Sequence, residues 1–220
     1  MRTLLAFALA LGWSLSASAA TPGPAPAALQ AELLQIQNDW AATNYLTQGD
    51  DRKATEFETL RQRTEAFEKA YPGRAEPLIW EGIVLSTYAG VKGGLGALSM
   101  AKQARAKLDA ALKLDPAALE GSAYTSLGTL YYKVPGFPLG FGDSNKARQL
   151  LTAALKLNPD GIDPNYFYGE FLFEEGEYAA AIQALRRALA APPRPNRDVA
   201  DRGRRGEIEG MLAKAQRKLG

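Results

Sequence analysis

Apolar residues recur every three or four positions along most of the chain, with polar residues between them, and this spacing is typical of amphipathic helices. The first two such stretches run from Leu29 to Trp40 and from Phe57 to Phe67, and they predict a helix pair. Seven further helices are predicted at about 76–88, 97–113, 117–133, 144–157, 164–175, 178–190 and 200–219. We therefore predict an all-α protein whose residues 28–220 form a single helical domain.

A six-residue motif recurs along the chain. Residues 111–116 read Ala-Leu-Lys-Leu-Asp-Pro, residues 154–159 read Ala-Leu-Lys-Leu-Asn-Pro, and residues 188–193 are a looser copy. Proline lacks an N–H and moves the preceding residue out of the α region, so each copy marks the end of a helix. The copies are 43 and 34 residues apart. This recurrence indicates stacked helix pairs, each burying its apolar face against its neighbours.

The third copy matches the tetratricopeptide repeat (TPR) pattern, which is about 34 residues long. The matching residues are Gly169, Leu172, Gly176, Tyr178, Ala181, Leu185, Ala188 and Pro193. Over residues 74–193 the chain therefore resembles a TPR protein. The resemblance implies a right-handed TPR-like helical solenoid of about three units, at about 74–116, 117–159 and 160–193. The degenerate N-terminal pair and the helix at 200–219 are predicted to cap it, since terminal repeats need a polar outer face.

The TPR resemblance also implies a binding groove, because fixed positions in the first helix of each unit line the concave face of TPR proteins. The groove candidates in this register are Glu81, Tyr88, Thr125, Thr129, Tyr132, Tyr166, Glu170, Phe173 and Glu174. The first-unit candidates follow from aligning Trp80 with Tyr124. Aromatic residues with a polar surround are the composition of a binding surface, although a single groove tyrosine is as often a packing residue.

Extra residues lengthen the turn inside the first and second units, by eight and seven respectively. In the second unit they include Phe137 and Phe141, the turn candidates for a binding site, because exposed phenylalanines need a cover. The alternative is that the turn folds back and hides both rings. The glycine-rich segment 90–96 aligns with this turn, so we interpret it as structural. It follows a helix and lacks the Gly-Lys-Ser/Thr of a phosphate loop.

The first 20 residues have the pattern of a secretory signal peptide. Arg2 precedes an apolar stretch at 4–15, and small residues at 17–20 supply a cleavage site. Residues 21–27 form a Pro/Ala-rich linker in this interpretation. The sequence contains no cysteine, so neither a disulfide nor the lipid anchor of exported bacterial proteins is expected. We predict a periplasmic, soluble, non-lipidated protein with no membrane span.

The residue types exclude most common catalytic systems. Without histidine or cysteine, the chain lacks Ser-His-Asp and Cys-His nucleophiles and histidine metal sites. Six acidic residues lie between 160 and 177. We interpret Asp163 as the N-cap of helix 164–175 and the glutamates as a solvated face. Calcium binding or paired-carboxylate catalysis is the alternative, but we predict no catalytic residue, no metal and no cofactor.

The C-terminal end is basic, with ten basic and four acidic residues from Arg186 to Gly220. Basic clusters occur on nucleic-acid and lipid-binding surfaces, but export argues against nucleic acid. We interpret the cluster as the solvated face of a capping helix. The alternative is complementarity to the acidic segment 160–177 of another copy of the chain.

The combination of signal peptide, degenerate first pair and long turns resembles exported TPR proteins related to the T component of TRAP transporters. That resemblance implies association with a substrate-binding subunit and self-association. The sequence as a whole predicts a non-catalytic periplasmic TPR adaptor that binds an envelope protein or peptide through its groove or its turns. The alternative is an accessory component of a TRAP-type transport system that contacts a substrate-binding subunit or a small ligand.

Overall fold

The structure is a computed structural model that describes residues 25–219. The predicted signal peptide at 1–20 and most of the predicted linker at 21–27 lie outside the described residues. Within 25–219 the chain forms nine α-helices and no β-strand. The helices are α1 (Ala27–Tyr45), α2 (Asp50–Ala70), α3 (Ala75–Lys92), α4 (Gly94–Leu114), α5 (Ala118–Lys133), α6 (Ser144–Leu157), α7 (Ile162–Glu174), α8 (Tyr178–Ala190) and α9 (Asp198–Leu219).

Consecutive helices pack as pairs. Helix α3 packs on α4, α5 on α6, and α7 on α8, and these pairs correspond to the three predicted units. The first helices of neighbouring units, α3, α5 and α7, also contact each other, and α1 and α2 form the additional N-terminal pair. Phe57, Leu108, Leu151 and Leu185 are fully buried between these helices. The predicted all-α architecture of stacked helix pairs is confirmed.

A glycine in the first helix of each unit marks the close approach of the two helices. A Cβ atom added at Gly82, Gly128 or Gly169 would lie 2.7–2.8 Å from the Cγ of a buried leucine in the second helix. Gly82 is therefore the counterpart of Gly128, which places Trp80 two positions away from alignment with Tyr124. The predicted register of the first helix of this unit is wrong by two residues, because it matched aromatic residues rather than the small residue that close helix packing requires.

The insertion in the first unit is helical. Helix α3 continues to Lys92 and α4 begins at Gly94, so that only Gly93 separates them. Gly93 has a φ of 59°, which lies in the left-handed region that favours glycine. The predicted turn at 90–96 is shorter than expected, since it is confined to Gly93 and Gly94, which both have a positive φ. The insertion in the second unit is a longer turn, at 134–143.

The start of α5 departs from the predicted regular helix. Leu119, Glu120 and Gly121 have φ values of 48°, 55° and 77°, so their backbone is left-handed. A non-glycine residue in this conformation is disfavoured by about 1–2 kcal/mol. The segment joins the first unit to the second, and its Leu119 and Glu120 lie on the concave side of the solenoid.

Helix α9 closes the solenoid. It packs against α7 and α8 of the last unit and also against α1 from the beginning of the chain. Tyr45 Oη of α1 donates a 3.1 Å hydrogen bond to Glu207 Oε2 of α9. Helix α9 therefore covers the last unit, as predicted, and in addition connects the last helix pair to the first.

Candidate ligand-binding pocket

The concave side of the solenoid contains a pocket of about 860 Å³. Its walls come from α1, α3, α5 and α7, and from the segment 191–204 that leads into α9. These elements are far apart in sequence, so the pocket forms only when the solenoid is closed by α9.

Two tryptophans form an aromatic wall of the pocket. The rings of Trp40 from α1 and Trp80 from α3 meet edge to face, with centroids 6.1 Å apart. Trp40 Nε1 donates a 3.1 Å hydrogen bond to Thr87 Oγ1. This bond satisfies the polar atom of Trp40. Trp40 and Trp80 are only 8% and 6% exposed, so most of each ring belongs to the core and a small part of it borders the pocket.

Helix α5 contributes a strip of hydroxyl groups, from Ser122, Thr125, Ser126 and Thr129. Thr129 Oγ1 donates to the carbonyl oxygen of Thr125 at 2.9 Å, and Ser122 Oγ donates to that of Leu119 at 2.6 Å. A hydroxyl that donates its proton keeps its acceptor lone pairs. This wall can therefore accept hydrogen bonds from a ligand.

An arginine cluster from the segment 191–204 surrounds Asp163 of α7. Arg194 Nη1 lies 2.6 Å from Asp163 Oδ2, and Arg204 Nε lies 2.8 Å from Asp163 Oδ1. Arg194 also bonds to Asp201, at 2.7 Å. Burial alone would raise the pKa of Asp163, but the positive charges of Arg204 and Arg194 outweigh it and lower that pKa below its ordinary value. These ion pairs hold the start of α9 against α7.

The predicted N-cap role of Asp163 is wrong. Helix α7 begins at Ile162, and its N-cap residue is Gly161. The carboxylate of Asp163 instead binds arginines from the basic C-terminal end. Part of that end is therefore paired within the same chain, rather than forming only a solvated face.

Arg197 differs from the other arginines of the cluster. Its Cζ lies 5.6 Å from the centroid of the Trp80 ring, a cation–π distance. Its Nε is buried and has no hydrogen-bond partner within the described residues. Burial and the positive charge of Arg194 lower the pKa of Arg197 to about 10. The guanidinium therefore stays protonated at neutral pH, and it lines the pocket.

The predicted groove residues Thr125 and Thr129 line the pocket. Three further groove candidates, Tyr132, Glu170 and Glu174, lie around Lys133, and Lys133 itself lines the pocket. Tyr132 Oη donates a 2.6 Å hydrogen bond to Glu170 Oε2. Lys133 Nζ lies 2.9 Å from Glu170 Oε1 and 3.7 Å from Glu174 Oε1. The acidic groove residues are thus paired with a tyrosine and a lysine from the neighbouring unit.

Tyr166 and Phe173 of α7 pack against other rings. Tyr166 is buried, with its ring centroid 5.0 Å from that of Phe167 and with Arg204 Cζ 4.5 Å from its own ring centroid. The ring of Phe173 lies 5.3 Å from that of Tyr178. A binding role for either residue stays a prediction.

Glu81 and Tyr88 do not line the pocket. Tyr88 is buried and stacks on Phe57 of α2, with ring centroids 6.4 Å apart. Glu81 is buried with its Oε1 3.0 Å from Lys107 Nζ of α4. Their predicted groove positions are wrong because the register of the first unit is shifted. The side chains of α3 that line the pocket instead are Trp80, Ile83, Ser86 and Thr87.

The sequence interpretation missed Trp40, Trp80 and Arg197 as site residues. Trp40 belongs to the N-terminal pair, which was interpreted as a cap, and Arg197 belongs to the connection after the third unit. One signal was available in that connection, because residues 192–197 combine three prolines with two arginines. Prolines stiffen a connection and hold the side chains it carries in place.

The turn at 134–143 separates its two phenylalanines. Phe141 packs against Tyr131, with ring centroids 5.5 Å apart, and the Arg105 guanidinium lies 4.5 Å from its ring centroid. Phe137, by contrast, is 93% exposed, and Leu139 is 72% exposed. The turn therefore folds back over the ring of Phe141, whereas the ring of Phe137 remains exposed.

Backbone hydrogen bonds close this turn. The N–H of Gly142 donates to the carbonyl oxygen of Pro135 at 2.9 Å, and the N–H of Asp143 donates to that of Tyr131 at 2.8 Å. A Cβ at Gly142 would lie 1.9 Å from the carbonyl oxygen of Val134. The turn is therefore a closely packed loop that projects two apolar side chains into solvent.

Comparison with known proteins agrees with this geometry. Residues 139–201 match the tetratricopeptide repeat family. The fold is that of a TPR solenoid. The crystal structure of a thermophilic TPR protein from Thermus thermophilus is similar with a TM-score of 0.58 and 19% identity, covering 85% of this chain and 83% of that one. At this identity the likeness shows the fold alone.

Structures of MamA are also similar to the chain. MamA from Desulfovibrio magneticus RS-1 has a TM-score of 0.45 and 16% identity, over 86% of this chain and 91% of that one. Another MamA structure has a TM-score of 0.44 and 22% identity, over 79% of this chain and 95% of that one. No curated protein sequence matches the chain. The TPR fold favours a protein-interaction role.

Within residues 25–219, no helix is both long and apolar enough to cross a membrane.

Proposed function

We propose that the chain is a non-catalytic adaptor of the periplasm that binds an envelope protein through the turn at 134–143. The observation that carries the proposal is the exposure of Phe137 and Leu139 on a closely packed loop. Exposed apolar side chains are typical of protein contacts when they project together from a surface.

The turn is held in one conformation by its own backbone hydrogen bonds, and this strengthens the proposal. Binding loses affinity when a loop must be ordered on association, and a loop already held by its own backbone bonds avoids part of that loss. The bond from Gly142 to Pro135 holds the segment that carries Phe137 and Leu139. A partner with an apolar cleft fits this projection.

The cellular location and the absence of catalysis rest on the sequence. The pattern of residues 1–20 supports export to the periplasm, and the lack of histidine and cysteine removes the most common nucleophiles and bases. A partner is therefore expected among envelope proteins rather than nucleic acids.

The paired change Phe137→Ser and Leu139→Ser tests the adaptor function. We expect the amount of partner captured by this variant to fall about tenfold or more, because aromatic and aliphatic anchors dominate interface energies. Its Tm should stay unchanged, since both side chains are exposed. The measurement is affinity capture from a solubilised envelope fraction, quantified by mass spectrometry against the unchanged chain.

Leu46→Ser is the matched control, because Leu46 is also exposed, at 58%, but lies after α1. This variant should capture the same partner at the same level. Equal capture by all three proteins would contradict the proposal. If the partner is a second copy, light scattering should show an oligomer that only the paired variant loses.

The pocket favours a second candidate function, an accessory component of a TRAP-type transport system. A volume of about 860 Å³ with a tryptophan wall fits a small ligand better than an extended protein segment. Recovery of a transporter substrate-binding subunit with the tagged chain would support this function. Capture of other envelope proteins without any such subunit would contradict it.

A further inference from the structure

The six helices of the three units form an inner and an outer set. The inner helices, α3, α5 and α7, contact one another in order along the solenoid and line the concave pocket. The outer helices, α4, α6 and α8, pack on inner helices, but no contact joins one outer helix to another and none of their residues lines the pocket. The outer helices therefore form the convex side of the solenoid.

The inner and outer helices differ in charge. The outer helices carry nine basic residues and one acidic residue, Asp109, whereas the inner helices carry two basic and six acidic residues. Helix α2 of the N-terminal pair is mixed, with five basic and six acidic residues. The formal net charge of the whole chain is only +2. The positive charge is therefore concentrated on the convex side of the three units.

Most cations of the outer helices have no carboxylate partner. Lys107 and Arg148 form ion pairs with glutamates, and Arg105 packs on the ring of Phe141. The other six are exposed and make no ion pair within residues 25–219, and they are Lys102, Lys113, Lys146, Lys156, Arg186 and Arg187. Unpaired charges of one sign on one side of a protein attract a partner of the opposite charge.

The residues around these cations favour a lipid surface over a protein as that partner. The exposed positions between them are small or polar, namely Gln103, Ala106, Gln149, Thr152 and Gln183. The centres of protein interfaces favour aromatic residues and arginine and are depleted in lysine, whereas four of the six cations are lysines. A membrane surface needs no shape complementarity, and each Lys or Arg close to anionic lipid increases affinity roughly fivefold.

We propose that the convex side, formed by the outer helices, attaches the protein peripherally to a bilayer that contains anionic phospholipid. The six unpaired cations lie at the head groups, and no helix enters the bilayer. The concave side then faces away from the lipid. This attachment goes beyond the adaptor function, because it uses a surface that is separate from the side chains of Phe137 and Leu139.

Sedimentation with vesicles measures the attachment. The full chain is mixed with vesicles of phosphatidylcholine alone, or with vesicles in which about one third of the lipid is phosphatidylglycerol. We expect binding to the anionic vesicles to be tighter by about tenfold or more. This difference should disappear between about 0.1 M and about 1 M salt, because the Debye length shortens from about 10 Å to about 3 Å. Binding through the apolar stretch at 4–15 needs no anionic lipid, so the phosphatidylcholine vesicles report it separately.

The test variant removes four positive charges from the outer helices, through Lys102→Gln, Lys113→Gln, Lys146→Gln and Lys156→Gln. Its affinity for the anionic vesicles should fall about tenfold or more, because each lysine contributes to the attraction. All four side chains are exposed, so the Tm should stay unchanged.

The matched control removes four positive charges from exposed positions of α9, through Arg202→Gln, Lys214→Gln, Arg217→Gln and Lys218→Gln. The two variants have the same net charge and differ only in where the charge was removed. The affinity of the α9 variant for the anionic vesicles should change by less than about threefold.

Equal binding to both kinds of vesicle would overturn the proposal, and so would an equal loss in the outer-helix and α9 variants. Absence of binding to any vesicle would also overturn it and would favour an acidic protein on the convex side. The paired change Phe137→Ser and Leu139→Ser should bind vesicles like the unchanged chain, and a loss there would assign lipid attachment to the turn instead. Capture of a protein partner by the turn is measured without vesicles, so the two proposals fail independently.

Discussion

Glu81 is a core carboxylate, with Lys107 and Glu68 rather than solvent as its neighbours. Burial raises the pKa of Glu81 to about 7, with Glu68 acting in the same direction and Lys107 opposing. The sequence placed this residue in the groove because Trp80 was aligned with Tyr124. In a helix of 3.6 residues per turn, a slip of two residues rotates a side chain by about 200°. A small error in register therefore moved Glu81 from the core to the predicted binding face.

The raised pKa of Glu81 predicts a loss of stability with rising pH. Between pH 4.5 and 7 the folded protein keeps a proton on Glu81 that the unfolded chain has released. The free energy of unfolding therefore falls as pH rises through this window, by roughly 1–3 kcal/mol. Glu81→Gln removes the titration. The Tm of this variant relative to the unchanged chain should rise by roughly 3–8 °C from pH 5 to pH 7.5.

The control for this prediction is Glu209→Gln, which changes an exposed glutamate of α9. Its Tm should follow that of the unchanged chain at every pH. Differential scanning fluorimetry across the pH range measures all three proteins. Parallel curves for Glu81→Gln and the unchanged chain would mean that Glu81 is ionised in the folded protein.

The first and last residues of a helix could be predicted from the sequence where local capping residues determine them. Helix α6 has the predicted limits 144–157, since the Asp143 side chain accepts a 3.0 Å hydrogen bond from the N–H of Lys146 and the Asn158-Pro159 pair follows its last residue. Helices α3 and α4 are longer than predicted. The turn predicted at 90–96 includes Gly90 and Gly96, but both lie inside these helices. A glycine weakens a helix by only about 1 kcal/mol, which tertiary packing can outweigh.

Ala154 tests the packing of the repeated motif. It lies on α6, is fully buried and belongs to the motif at 154–159. Ala154→Phe should destabilise the protein by about 1–3 kcal/mol, because added volume in a packed core forces its neighbours apart. Thr152→Phe, at an exposed position of the same helix, should change stability by less than about 0.5 kcal/mol. Urea unfolding followed by circular dichroism gives both values, and equal values would place Ala154 outside a tight helix contact.

The repeat pattern does not predict that the solenoid closes through the contact between α1 and α9. A repeat describes one unit and its contacts with the next, whereas the meeting of α1 and α9 depends on the rotation summed over all units. Residues as distant in sequence as Trp40 and Arg197 line the same pocket for this reason. Thr125 and Thr129, which one unit places on the concave face, could be predicted. The combination of two tryptophans with an arginine whose Nε has no hydrogen-bond partner within the described residues could not.

Closure of the solenoid depends on the lack of a side chain at Gly203. A Cβ there would lie 2.4 Å from Cγ of the Tyr45 ring, so any larger residue must displace that ring or push α9 away from α1. Gly206 lies on the same helix, but a Cβ there would meet nothing within 4 Å. The two glycines therefore form a matched pair for the same substitution.

Gly203→Val should destabilise the protein by about 1–3 kcal/mol relative to Gly206→Val, which corresponds to a Tm lower by roughly 2–10 °C. Hydrogen exchange should increase in α1 and α9 of the Gly203 variant, because the Tyr45–Glu207 bond and its neighbouring contacts are the link between the two ends. The helix propensity of valine acts equally in both variants and cancels in the comparison. Equal melting temperatures and equal exchange would mean that α9 does not rest on α1 and that the concave side is open rather than enclosed.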